Sequence, residues 1–119
     1  MIDDNQIQYF NTFGFLILRN LFTASELETI RAEFEHRSQI ASSYDPFDGT
    51  KKHNMLMMDD ETPFLSSLME DDRFAGTAER LFGEVIGAFV DGDRHVGDSV
   101  WHYDAGGYDA GGVKFATYL

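Results

Sequence analysis

The sequence predicts an α+β fold, on three observations. Residues 1–83 carry helical spacing and helix-capping chemistry, residues 84–119 are strand-rich, and 43% of the chain is hydrophobic, enough for a packed core. The 119 residues form one domain, 1–119.

The elements follow in order. Ile7, Phe10 and Phe13 recur at helical spacing, and Gly14 breaks the pattern. Phe15-Leu16-Ile17-Leu18 is a short apolar run suited to a buried strand. Thr23 opens a second helix with a capping box: its hydroxyl serves the free amides while Glu26 reaches back. Phe22 and Leu27 are placed as a hydrophobic staple across that start. Leu27, Ile30 and Phe34 form the apolar stripe, with Glu28, Arg31, Glu35 and His36 toward solvent.

Residues 38–63 read as a loop, from turn chemistry at Ser42-Ser43, Tyr44-Asp45-Pro46 and Asp48-Gly49. Within it, Met55-Leu56-Met57-Met58 reads as a segment packed over the core rather than as a pocket lining. Pro63 starts a short helix to Met69, and Arg73–Phe82 forms another, closed by Gly83. Val85–Val90 predicts a strand, Asp91-Gly92-Asp93 a turn and Val96–Tyr103 an extended segment. A glycine-rich loop, 105–112, precedes a last extended run, Val113–Leu119.

Charge and composition exclude several function classes. With 21 Asp+Glu against 9 Lys+Arg the net charge is −12, which opposes binding to a phosphate backbone. No cysteine is present, so disulfides, thiolate metal sites and cysteine nucleophiles are excluded. The longest apolar run is far too short for a membrane helix, and Met1-Ile2-Asp3-Asp4 lacks the basic start of a targeting peptide. A cytoplasmic protein that binds neither nucleic acid nor membrane is the expectation.

Of four histidines, His36, His53, His95 and His102, the last has a suggestive setting, Val100-Trp101-His102-Tyr103-Asp104. On a strand, residues i and i+2 share a face about 6.6 Å apart. An imidazole and a carboxylate so placed can converge on one divalent ion, as two-thirds of a 2-His-1-carboxylate triad. Other motifs fail. Asp91–His102 has Val96 and His102 where a calcium loop needs glycine and glutamate. Ser99, with His102 and Asp104 nearby, lacks the second glycine of a nucleophile elbow. The glycines at 106, 107, 111 and 112 do not match a dinucleotide-binding fingerprint.

Taken together, Gln8–Phe10, Gly14–Phe22 and Ser25-Glu26-Leu27 with its helix resemble the opening of the phytanoyl-CoA dioxygenase family. Gly97–Asp104 is similar to that family's metal-binding strand, with its Trp-His-x-Asp, and Val113–Leu119 to the strand that follows. The resemblance implies a double-stranded β-helix (jelly-roll) with N-terminal helices outside, incomplete here, because about eight strands are needed. It implies an Fe(II)- and 2-oxoglutarate-dependent dioxygenase, with His102 and Asp104 as the first two iron ligands. Relatives that halogenate lack the carboxylate, so Asp104 favours hydroxylation of a C–H bond in a small-molecule substrate. Arg94 and Tyr118 would lie near 2-oxoglutarate.

Two departures accompany the resemblance. The family's distal histidine and the basic residue that anchors 2-oxoglutarate would fall after Leu119, so a chain of this length is expected to be inactive or nearly so. Many members also carry a lysine on the strand before the ligand strand, where Phe89–Arg94 offers only Arg94. Strand edges left open would favour homo-oligomers. The alternative is a non-catalytic domain of the same outline that binds a small ligand or partner.

Overall fold

A computed structural model describes residues 2–84, 87–102 and 112–119. It contains helices α1 (Asp4–Phe13), α2 (Ala24–Tyr44), α3 (Pro63–Ser67) and α4 (Ala75–Phe82), and strands β1 (His53–Leu56) and β2 (Asp91–Arg94). No helix among the described residues is long and apolar enough to cross a membrane.

Local sequence chemistry sets the helix ends. Asp3 and Gln6 form a capping box on α1, and Gly14 closes that helix in the left-handed conformation at φ 77°. Thr23 and Glu26 form the second box on α2: the Glu26 amide donates to Thr23 Oγ1 at 3.2 Å, and the Thr23 amide to Glu26 Oε2 at 2.7 Å. Loss of such a cap costs about 1 kcal/mol. Pro63 opens α3, where its missing amide hydrogen has no partner to lose.

The core lies against α2. Ile30, Met55, Met57 and Leu65 are buried, with Phe22, Leu27, Phe34 and Val90 packed around them. Burial of an aliphatic or methionine side chain of this size contributes about 1.5–3 kcal/mol. Three carboxylates on α2 extend its hold. Glu26 Oε1 pairs with Arg73 at 2.8 Å, and Glu35 Oε2 with Arg94 at 3.0 Å. Glu33 accepts the amides of Phe64 and Leu65 at 2.8 and 2.9 Å, so a side chain of α2 caps the start of α3.

Helix α1 is attached elsewhere. Ile2 is buried, its carbonyl accepts from Arg80 on α4, and Asp4 pairs with the same guanidinium. Phe10 meets Phe82 edge-to-face, with centroids 6.1 Å apart. The chain end returns through Phe115, whose ring packs edge-on against Phe74 at 5.0 Å.

Several expectations are corrected. Residues 38–44 continue α2 to Tyr44, and β1 occupies 53–56, so the segment read as one loop is partly regular. Asp91-Gly92-Asp93 is not a turn but part of β2, which pairs antiparallel with β1 in the register His53↔Arg94 to Leu56↔Asp91. The sheet thus draws one strand from each half of the chain. Residues 15–18 form no strand, and Phe15 and Ile17 are exposed, because no described strand lies beside them to pair their backbone. Residues 87–90, 95–102 and 113–119 likewise form no strand. Residues 85–86 of one expected strand, Tyr103, and most of the glycine-rich loop lie outside the described residues. What the described residues form is a mixed structure of helices and a two-stranded sheet.

Gly92 is required by a close approach. A Cβ there would stand 2.6 Å from Met57 Cε and 2.9 Å from Phe34 Cε2. The alternation of β1 explains the neighbour: Met55 faces inward opposite Gly92, while Asn54 and Leu56 are exposed. Gly92→Ala is expected to destabilise the fold by about 1–3 kcal/mol through overpacking, read as a lower urea midpoint.

The Glu26–Arg73 pair also predicts acid behaviour. The hydrogen bond from Arg73, with those from Thr23, lowers the Glu26 carboxyl from an ordinary 4.5 to about 2. The folded chain therefore keeps Glu26 ionised where the unfolded chain takes up a proton. The contribution is fully present above pH 4.5 and is lost as pH falls toward about 2. Urea titrations across that interval should show a shallower pH dependence in Glu26→Gln than in the unchanged chain.

Candidate functional site

His102 lies in the irregular segment after β2, with its side chain exposed beside a fully exposed Trp101. Its Nδ1 is 2.8 Å from the Val100 carbonyl oxygen. A carbonyl oxygen only accepts, so Nδ1 carries the proton, and in the neutral ring the lone pair falls on Nε2. Metal-ligating histidines are commonly oriented in this way, with one ring N–H donated to a backbone carbonyl and the other nitrogen facing the ion. The donor chemistry of His102 thus fits a divalent metal. Asp104, the second ligand the sequence suggests, lies outside the described residues. Among the described residues no three His, Asp or Glu side chains gather to hold an ion.

The other histidines are engaged elsewhere. His36 Nε2 is 2.7 Å from Glu61 Oε2. His53 stacks on Phe47 with centroids 6.2 Å apart, and its Nδ1 is enclosed with no hydrogen-bond partner among the described residues. His95 Nε2 lies 3.5 Å from Ser99 Oγ, so the hydroxyl of Ser99 is directed to His95 and not to His102.

Arg94 is the last residue of β2. Its guanidinium pairs with Glu35 and lies 5.4 Å from the Phe47 ring centroid, a cation–π contact. Glu35 and Phe47 are the partners that sequence reasoning missed, and no short-range signal marks them, since both lie more than forty residues from Arg94. Tyr118, the other residue expected near 2-oxoglutarate, is almost wholly exposed.

The outer face of the two strands is acidic but compensated. Asn54 Nδ2 donates to Asp91 Oδ2 at 3.0 Å and to Asp93 Oδ1 at 2.8 Å, while Lys52 Nζ is 2.7 Å from Asp93 Oδ2. Burial opposes ionisation of Asp93, yet Lys52 and Asn54 outweigh it and hold the carboxyl below its ordinary range.

No family model matches the chain, and neither a curated protein nor a solved structure matches it.

The tautomer of His102 is directly measurable. In the neutral ring, ¹⁵N spectra should place the proton of His102 on Nδ1; a ring protonated on Nε2 would contradict the Val100 hydrogen bond.

Proposed function

We propose that this chain belongs to an Fe(II)- and 2-oxoglutarate-dependent dioxygenase that hydroxylates a C–H bond of a small molecule. The observation that carries the reading is the orientation of His102 by the Val100 carbonyl, within the Trp101-His102-Tyr103-Asp104 sequence. The likeness to the phytanoyl-CoA dioxygenase family, which implies the jelly-roll, stands on the sequence motifs. His102 and Asp104 would hold the metal. When bound, iron and 2-oxoglutarate would supply oxygen activation: dioxygen is the oxidant, and 2-oxoglutarate is the co-reductant, oxidised to succinate and carbon dioxide as the substrate C–H is hydroxylated.

The protein's own part is to hold and orient. The Nδ1–H···O=C bond orients the imidazole and places the lone pair of the neutral ring on Nε2, the nitrogen that would ligate the ion. The Asp104 carboxylate would complete a histidine–carboxylate pair and neutralise one charge of a divalent ion. Arg94 would serve 2-oxoglutarate by exchanging Glu35 for a cosubstrate carboxylate, retaining a charge-assisted hydrogen bond throughout. Tyr118 would stand near the same cosubstrate.

The complete exposure of Trp101 favours one other reading, a non-catalytic domain of the same outline that uses this apolar side chain to bind a small ligand or partner. Metal binding separates the two. Trp101 is the single tryptophan and precedes His102, so it reports on an ion held there. Anaerobic titration with Fe(II) or Co(II) should quench Trp101 fluorescence saturably, at about one ion per chain. His102→Ala should weaken that binding at least tenfold while leaving the helical circular dichroism unchanged. Absent quenching, or equal quenching in the variant, would favour the non-catalytic reading.

A further inference from the structure

A second candidate site lies away from His102, between α1, the segment 17–21 and the start of α4. It is an open cleft of about 170 Å³. For scale, a cavity of about 150 Å³ holds benzene. Its apolar lining comes from Ile2, Ile17, Leu18 and Leu21. Its polar lining includes Gln6, Arg19 and Thr77.

Arg19 and Gln6 are available to a ligand. Arg37, Lys51, Lys52, Arg73, Arg80 and Arg94 all have carboxylate partners. Arg19 has none among the described residues, although acidic side chains outnumber basic ones by 21 to 9. Gln6 accepts the Asp3 amide at 2.9 Å through Oε1, which turns its NH₂ group into the remaining donor. Thr77, 2% exposed, also lines the cleft. Arg73 also borders the cleft, but its guanidinium is taken up by two carboxylates, Glu26 and Asp71. Arg19 is therefore the cation of the cleft that an anion would meet.

From this juxtaposition of an arginine without a carboxylate partner, a carboxamide donor and an apolar wall, we infer that the cleft binds a small amphipathic carboxylate, a short-chain aliphatic acid of about six carbons. Arg19 and the Gln6 carboxamide donate to the carboxylate, with Thr77 alongside. The hydrocarbon tail lies against Ile17, Leu18 and Ile2. This site is independent of the metal reading, and its test needs no metal.

Hexanoate is the probe, with acetate and hexylamine as comparisons, titrated into the full chain and followed by ligand-observed NMR. Hexanoate should bind saturably, acetate at least tenfold more weakly, and hexylamine not measurably. Arg19→Gln removes the charge at an exposed position and should weaken hexanoate binding at least tenfold. Ile17→Asp, also at an exposed position, should do the same by placing an anion on the apolar wall, so the result does not depend on a single variant. The inference fails if hexanoate does not bind, if hexylamine binds as tightly, or if both variants bind as the unchanged chain does. Acetate binding as tightly as hexanoate overturns it too, because Arg19 would then be an anion contact without a tail site.

Discussion

A single line of side chains on α2 organises the molecule. Glu26, Glu33 and Arg37 are spaced by seven and four residues, which places them within about 40° of one another around a helix of 3.6 residues per turn. Each holds a different piece of chain. Glu26 takes Arg73 ahead of α4, Glu33 takes the first amides of α3, and Arg37 takes the Leu56 carbonyl and Asp59 beyond β1. The apolar stripe runs directly beside this line, and Met55, Met57 and Leu65 cluster with Ile30 on it. Exposed ion pairs contribute little individually. These are partly buried, and several involve backbone groups that would otherwise lack a partner, which makes them structural rather than decorative.

The same helix governs what happens at the sheet. Phe34 leaves room for β2 only because residue 92 has no side chain, and the next residue of α2, Glu35, holds Arg94 at the strand's end. Position along β2 is thus fixed at both its middle and its last residue. The segment carrying Trp101 and His102 departs from that fixed end, while the cleft near Arg19 is lined from α1, residues 17–21 and α4. The two candidate sites therefore rest on different supports and report on different parts of the fold.

Legibility in the sequence followed the range of the interactions. The box at Thr23 and Glu26 was readable because both partners sit within one turn, and the closing glycines at 14 and 83 because a helix end is a local event. The box at Asp3 and Gln6 carried the same signal, an acceptor three residues ahead of a glutamine, and went unread. Pairing of His53–Leu56 with Asp91–Arg94 was hidden by its separation, and by lysines and a glycine before β1 that resemble loop chemistry. Gly92 was misread for a related reason: between two aspartates it mimics a turn, whereas its role is set by Phe34 and Met57, distant in sequence. At the candidate site, the Val100–His102 bond spans two residues, while the engagement of Arg94 by Glu35 spans 59. Arg94 looked available in the sequence because nothing near it predicts that partner.

Methionine at the centre of the core has a consequence for ageing of the protein. Met57 is 1% exposed and Met55 4%, and the Met57 methyl lies where a side chain on residue 92 would stand. Conversion of either thioether to a sulfoxide adds a polar oxygen with no room and no hydrogen-bond donor waiting for it. While the chain is closed, oxidants do not reach these sulfurs. The lifetime of the folded chain under oxidative stress is then set by how often β1 and β2 separate from α2, a local opening, and each such event can make the damage permanent without repair.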